Sequence, residues 1–153
     1  MARHANIAAH IATLLGTAVV ATNPVAGGET CVATRARLSD GRSVFVKARP
    51  GAPTGFFGTE AYGLTWLAAG ARGEPAEASL TPAVLGYNRE CLVLEWVEGA
   101  RPSPEAAEHL GRMLAALHRS GAERLGAAID GFIGTLPLSN ATADTWHEFY
   151  AVR

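Results

Sequence analysis

The spacing of hydrophobic positions predicts alternating helices and strands over the first hundred residues. Apolar side chains recur at helical intervals in residues 7–15 and 56–69. Segments rich in β-branched residues and bounded by glycine, proline or Asp-Gly predict strands. The predicted strands cover residues 17–25, 31–38, 43–48, 81–87 and 91–97. One helix, three strands, a second helix and two strands indicate an α+β fold with a largely antiparallel sheet.

The remainder of the chain is predicted to be mainly helical. Ser103 is a good N-cap, with Pro104 at the first helical position, and the helix extends to about Arg119. Residues 120–143 are predicted to be mostly loop, and residues 145–153 begin another helix. The predicted buried stripe of the first helix comprises Leu110, Met113, Leu114 and Leu117. A polar connector is expected at residues 71–79.

Composition narrows the class of protein. The chain has 153 residues, of which 48% are hydrophobic and 18% charged, as in a folded globular protein. A formal net charge of −1 gives no electrostatic reason to expect a nucleic acid or an anionic membrane as partner. Cys31 and Cys91 are too few for a disulfide scaffold, so buried thiols and a cytoplasmic location are expected. The apolar N-terminal stretch only faintly resembles a secretory signal, because His10 interrupts it.

Two charged residues each break a local rule. Lys47 lies in a predicted strand, where lysine is intrinsically disfavoured. Glu60 lies on or beside the apolar face of the following helix, three residues after Phe57. An unpaired buried carboxylate is costly, so a partner cation is expected. A strand lysine paired with a helix glutamate is the arrangement by which kinases hold nucleotide phosphates; two solvated charges at element edges are the alternative.

Two backbone segments have the character of ligand-binding loops. Gly27 and Gly28 lie between two predicted strands and ahead of the lysine strand, where backbone N–H groups can approach phosphates. A plain hairpin turn is the alternative. Residues 92–99 run from an apolar strand into an acidic, glycine-containing linker, whose backbone can offer polar contacts to an adenine ring in an apolar slot. An ordinary strand end is the alternative there.

The order of these segments is more specific than any one of them, and it resembles the fructosamine kinase (ketosamine-3-kinase) family. These enzymes are relatives of aminoglycoside phosphotransferases and of protein kinases. A Phe-Ile-Gly segment beginning at Phe132 and a Trp-x-x-Phe segment beginning at Trp146 favour this family over its relatives. The other matching segments are residues 24–28, 40–47, 59–61, 92–97 and 114–119.

The resemblance implies a protein-kinase-like N-lobe at residues 1–98 and the hinge and start of a helical C-lobe at residues 99–153. It implies ATP and Mg²⁺ as cofactors, with the Mg²⁺ ligands expected beyond Arg153. It also implies a glycated amine or sugar as acceptor, with no nucleic acid and no membrane as partner. By position, Gly27 and Gly28 would cover the phosphates, and Lys47 would bind them. Glu60 would orient Lys47. The backbone of Glu95 and Val97 would meet adenine.

The resemblance also implies what lies outside this chain. In the family, the catalytic Asp lies in a His-Gly-Asp-type loop, which is expected beyond Arg153, so this polypeptide alone is predicted to be inactive. Asp130-Gly131 replaces the usual Asp-Asn, Leu138 stands where Gln is common, and Cys31 is displaced from the position of a redox-sensitive cysteine in some relatives. Two alternatives remain open: a truncated, non-catalytic nucleotide-binding or interaction fragment, and a kinase for an aminoglycoside or choline-like acceptor.

Overall fold

A computed structural model describes residues 2–28, 30–70 and 80–151, and the side chains from residue 7 onward. The polar connector predicted at residues 71–79 lies outside the described residues. The chain divides into two compact units. The first comprises residues 1–65 and 81–101, and the second comprises residues 66–80 and 102–153.

The first unit is built on a five-stranded antiparallel sheet. Its strands are β1 (Val19–Pro24), β2 (Val32–Leu38), β3 (Ser43–Ala48), β4 (Val84–Tyr87) and β5 (Cys91–Glu95). They lie in the order β1-β2-β3-β5-β4, and every neighbouring pair is antiparallel. The predicted α+β fold with five strands is therefore confirmed. Three strands, β1, β4 and β5, are shorter than the predicted ranges 17–25, 81–87 and 91–97. Val97 therefore lies in the linker after β5 rather than in the strand.

The Asp-Gly turn between β2 and β3 forms as predicted. The N–H of Leu38 donates to the carbonyl of Arg42 at 2.8 Å, and Gly41 has a φ of 89°, which glycine adopts readily. The carboxylate of Asp40 accepts hydrogen bonds from the side chain and the backbone N–H of Arg42, which lowers the pKa of Asp40. The turn therefore sets the register of β3 against β2, which places alternate β3 residues on opposite sheet faces.

One face of the sheet packs against helix α1 (Ala2–Leu15). Val44, Val46 and Ala48 of β3 point to this face, and Ile11 of α1 is fully buried against it. His10 lies at the edge of the contact, where Nε2 is 3.1 Å from Oε2 of Glu90. The predicted helix at residues 7–15 is thus confirmed, although it begins earlier.

The opposite face packs against helix α2 (Phe56–Gly70). Phe57 and Ala61 of α2 are buried with Leu92 and Leu94 of β5, and Phe45 of β3 is partly buried beside them. Because side chains alternate along β3, Lys47 emerges on this same face. The two-sided core therefore fixes both the strand that carries Lys47 and the helix that carries Glu60.

Cys91 belongs to the α1 side of the sheet, at the start of β5. Its side chain is buried with Val46 and Ala48. Burial raises the pKa of the Cys91 thiol to about 11, and the negative charge of Glu90 adds to the effect. Cys31, in contrast, is only partly buried, so the expectation of two buried thiols holds for one of them.

The second unit contains α3 (Pro104–Ser120), a hairpin of β6 (Gly131–Ile133) and β7 (Leu136–Leu138), and α4 (Trp146–Ala151). Ser103 caps α3 as predicted, with its Oγ accepting from the N–H of Ala106 at 3.2 Å. The short hairpin lies within the segment predicted to be mostly loop. None of the described helices is long and apolar enough to cross a membrane.

The predicted burial of the α3 stripe was wrong. Leu110 is 50% exposed and Leu114 is 40% exposed. Leu117, one turn further on, lies against Gly70 at the end of α2. An amphipathic pattern reports that a helix has an apolar face, but it does not supply the surface that covers this face.

Candidate functional site

Lys47 and Glu60 form an ion pair between β3 and α2. Nζ of Lys47 donates to Oε1 of Glu60 at 2.5 Å. The two side chains are 31% and 30% exposed, so neither is sealed in the core. An ammonium group carries three donors, and Glu60 engages one of them through this contact. The pair therefore leaves a positive group with donors available for a second anionic partner.

The choice of lysine at this position is informative. Lys47 is the only lysine among the 13 lysine and arginine residues of the chain. Arginine presents a planar fork, whereas lysine presents a compact point charge on a flexible stem. A chain that otherwise uses arginine for its positive charges has an ammonium at the one strand position that faces Glu60.

An open, mainly apolar pocket of about 330 Å³ lies on the same side of the sheet as Lys47. Phe45, which precedes Lys47 by two residues on β3, forms part of its wall, as does Leu94, its partner on β5. The volume falls at the lower end of the range typical of small-molecule sites. The complete lining is Val25, Phe45, Pro82, Leu94, Glu95, Trp96 and Val97.

The end of β5 and the linker that follows it supply the polar groups at this pocket. The N–H of Glu95 donates to the carbonyl of Ala83 at 2.9 Å, and the Glu95 carboxylate accepts from the N–H of Ala83 at 3.3 Å. Both contacts tie Glu95 to the segment before β4. The N–H of Val97 makes no backbone hydrogen bond to another described residue. Of the two N–H groups, only that of Val97 is therefore available to a ligand.

The glycine turn begins beside the pocket. Val25 lines the pocket, and its N–H donates to the carbonyl of Ala33 at 3.0 Å, which extends the β1–β2 pairing by one residue. Gly27 and Gly28 follow with φ values of 111° and 90°, and both are exposed. Residues other than glycine rarely adopt such φ values, and glycine has no side chain, so this turn exposes only its backbone. Glu29, the next residue of the turn, lies outside the described residues.

The structure brings four of the six predicted site residues to one sheet face or its edge. Lys47 and Glu60 are in direct contact, while Glu95 and Val97 line the pocket. Gly27 and Gly28 do not line the pocket; they follow its lining residue Val25 by two and three positions in the chain. Within the described ranges, no group of three or more His, Cys, Asp or Glu residues is arranged to hold a metal ion.

Sequence reasoning missed a cluster of aromatic and cationic side chains at the pocket, in which Phe45 and Trp96 line the pocket and Arg35 stacks on Trp96. Phe45 and Trp96 have ring centroids 6.4 Å apart, and the guanidinium of Arg35 lies 4.3 Å from the Trp96 ring centroid. The available signal was strand alternation: Arg35 pairs directly with Phe45, so both side chains lie on one face. The position of Trp96 depends on the pairing of β5 with β3, which no local pattern reveals.

Comparison with known proteins gives a consistent set of relatives. The sequence model of the family described as fructosamine kinase matches residues 3–153. A protein of Enterococcus faecium named probable ketoamine kinase is 30% identical to this chain, and a Thermus thermophilus protein of the same name is 38% identical to it. These matches cover 83% and 71% of this chain, but only 43% and 37% of the relatives. The chain thus spans less than half the length of these curated relatives.

Solved structures give the same result. A protein from Thermobifida fusca assigned as a fructosamine-3-kinase superimposes with a TM-score of 0.84 at 41% identity. The match covers 96% of this chain and 50% of that protein. A Haemophilus somnus protein with the same assignment shares the fold, with a TM-score of 0.76 at 20% identity.

Proposed function

This chain belongs to the fructosamine kinase family, and from that premise we propose that it forms the nucleotide-binding part of an ATP-dependent kinase. The acceptor we propose is a sugar hydroxyl of a glycated amine, since its relatives are named ketoamine kinases and fructosamine-3-kinases. The reaction transfers the γ-phosphoryl group of ATP to the acceptor oxygen, with loss of the hydroxyl proton and release of ADP.

The observation that carries the proposal is the contact between Lys47 and Glu60. Phosphoryl transfer depends on positioning and on charge stabilisation, and kinases of this type hold ATP phosphates with a strand lysine oriented by a helix glutamate. Here the lysine is the only one in the chain, and its Nζ is 2.5 Å from the carboxylate oxygen. In this proposal Glu60 orients Lys47, and the remaining ammonium donors bind phosphate oxygens.

The pocket suits the adenine base of the nucleotide. Its apolar walls, Phe45 and Leu94 among them, match a planar aromatic ring. The N–H of Glu95 is already bound to Ala83, so Glu95 contributes its carbonyl oxygen to the base. Val97 contributes its N–H. An acceptor at the end of β5 and a donor two residues further on complement the amino group and a ring nitrogen of adenine.

The glycine turn suits the phosphates. Gly27 and Gly28 adopt positive φ values and are exposed directly after Val25, which lines the base pocket. Backbone N–H groups in such a turn donate to phosphate oxygens without a side chain in the way. Among the described residues no group of three or more His, Cys, Asp or Glu is arranged to hold a metal ion, and the ligands of the Mg²⁺ that the family implies are proposed to lie outside this chain. No role proposed for this chain's residues passes through a metal.

Thermal denaturation with and without ATP tests the proposal. ATP at a hundredfold excess over its Kd stabilises the folded chain by about 2.7 kcal/mol, which corresponds to a rise in Tm of roughly 8 °C. Lys47→Ala should abolish the rise, and Glu60→Ala should reduce it less completely. Arg37→Ala is the matched control, since it removes an exposed positive charge from the neighbouring strand.

Each variant is compared with its own ligand-free Tm, which separates binding from folding. A parent chain that ATP does not stabilise would contradict the nucleotide site. A Lys47→Ala variant stabilised as much as the parent would show that the assignment of Lys47 is wrong. We also predict that the chain alone does not phosphorylate a ketoamine, and turnover in a coupled ADP assay would contradict that prediction.

A further inference from the structure

Arg35 joins strand β2 to the linker after β5. Its guanidinium lies 4.3 Å from the ring centroid of Trp96, and its Nη2 donates to Oε1 of Glu98 at 2.9 Å. The same side chain donates to Oγ of Ser43, from Nη2 at 3.2 Å and from Nε at 3.3 Å. Three partners from two segments of the chain thus converge on one side chain. We call Arg35, Ser43, Trp96 and Glu98 the linker clamp.

The clamp holds the linker on both sides of Val97. Trp96 precedes Val97 and stacks under the guanidinium, while Glu98 follows it and receives a hydrogen bond. A residue held on both sides has little freedom to rotate its own peptide N–H. The clamp therefore acts on the Val97 N–H, which makes no backbone hydrogen bond to another described residue.

The charge contact alone does not explain this arrangement. Glu98 is 71% exposed and Arg35 is 38% exposed, and an ion pair in such an environment contributes little to stability. Stacking on Trp96 and the fixed fork geometry of arginine add orientation to the contact. A lysine could not donate in the plane to Glu98 and Ser43 while covering an indole face. The geometry is therefore suited to holding a shape rather than to adding stability.

We propose that Arg35 is a positioning residue of the nucleotide site, which holds Trp96 and Glu98 so that the base pocket and the Val97 N–H are preformed. This role rests on the proposed function, because it concerns the adenine end of the same site. Arg35 does not line the pocket and touches no phosphate in this proposal. Its loss should therefore weaken recognition of the base and leave recognition of phosphate unchanged.

Binding of two fragments of ATP to the 153-residue chain tests this role. Adenosine reports on the base pocket, and inorganic tripolyphosphate reports on the phosphate end. We expect Arg35→Met to weaken adenosine binding about tenfold, because adenosine would then bind a linker that is no longer held in its binding conformation. Tripolyphosphate binding should be unchanged. Arg37→Met, the same change two residues further along β2, should alter neither affinity.

Fluorescence of Trp96 provides a second measurement that needs no ligand. In a Trp66→Phe, Trp146→Phe background Trp96 is the only tryptophan left, and Arg35→Met should increase its quenching by acrylamide. Equal losses of adenosine and tripolyphosphate affinity would show a merely structural role and overturn the proposal. Unchanged adenosine affinity would also overturn it. If the parent binds no adenosine, the proposed function fails, and the quenching result alone decides whether Arg35 holds the linker.

Discussion

Removing the charges of Lys47 and Glu60, singly and together, measures how strongly the pair is coupled. Lys47→Met keeps most of the apolar stem and removes the ammonium, whereas Glu60→Gln keeps the shape and removes the charge. The contact joins β3 to α2 across 13 residues of sequence. A double-mutant cycle isolates the interaction between the two side chains from the other consequences of each change.

The structure sets the expected size of this coupling. Exposed ion pairs are worth about 0.2–1 kcal/mol, and breaking a fully buried pair costs about 3–5 kcal/mol. Side chains that are 31% and 30% exposed lie between these limits. We therefore expect each single substitution to lower the free energy of unfolding by roughly 1–2 kcal/mol, with a coupling energy of about 1 kcal/mol. The corresponding fall in Tm is about 3 °C per kcal/mol.

Urea denaturation followed by circular dichroism is the appropriate assay. Arg112 and Glu108 on α3 form a matched control pair, since they are 69% and 63% exposed and lie four residues apart. Their cycle, with Arg112→Met and Glu108→Gln, should give a coupling of about 0.3–0.5 kcal/mol. If the coupling of Lys47 with Glu60 is no larger than that of the control pair, the contact does not fix the ammonium as we infer.

Two further predictions concern the two cysteines and a glycine of the second unit. At pH 8, a thiol reagent should modify Cys31 and spare Cys91, because burial raises the pKa of Cys91 to about 11. Rapid modification of both thiols in the folded chain would contradict this expectation. The raised pKa also means that the neutral Cys91 thiol contributes its full stability below about pH 9, and that this contribution is lost as the pH rises toward 11. Gly126→Ala should destabilise the chain by more than about 2 kcal/mol, because the new Cβ would lie 2.7 Å from the carbonyl oxygen of Asn140 at a φ of 106°. Gly121→Ala is the control, since Gly121 also has a positive φ, 67°, but no atom near the position of a new Cβ, so it measures the backbone cost alone. If both variants lose the same free energy of unfolding in urea denaturation, the clash at Gly126 is absent.

The elements that could be predicted from sequence are those specified by neighbouring residues. The Asp40-Gly41 turn and the Ser103 cap each depend on a few consecutive positions, and both form as expected. The pairing of Lys47 with Glu60 was also predictable, because each residue conflicts with its own element and the two elements are adjacent in the chain.

Features that depend on distant pairing could not be predicted in this way. Arg35 and Glu98 are 63 positions apart and meet because β5 pairs with β3 and β3 with β2. The β6–β7 hairpin has only three residues in each strand, too few for alternation to be recognised. The exposure of Leu110 on α3 shows a third limit, since an apolar stripe specifies a face without specifying what covers it.

The presence of a single lysine has a practical consequence for work on this protein. Apart from the α-amino group, Lys47 carries the only primary amine of the chain, and it lies beside Glu60 at the candidate site. Amine-coupling esters used to attach proteins to sensor surfaces or dyes have only Lys47 and the α-amino group to acylate, so any coupling at Lys47 blocks the group whose binding is to be measured. The same selectivity makes Lys47 a built-in chemical reporter: the extent of acylation, read by mass spectrometry, gives the occupancy of this site without any engineered label.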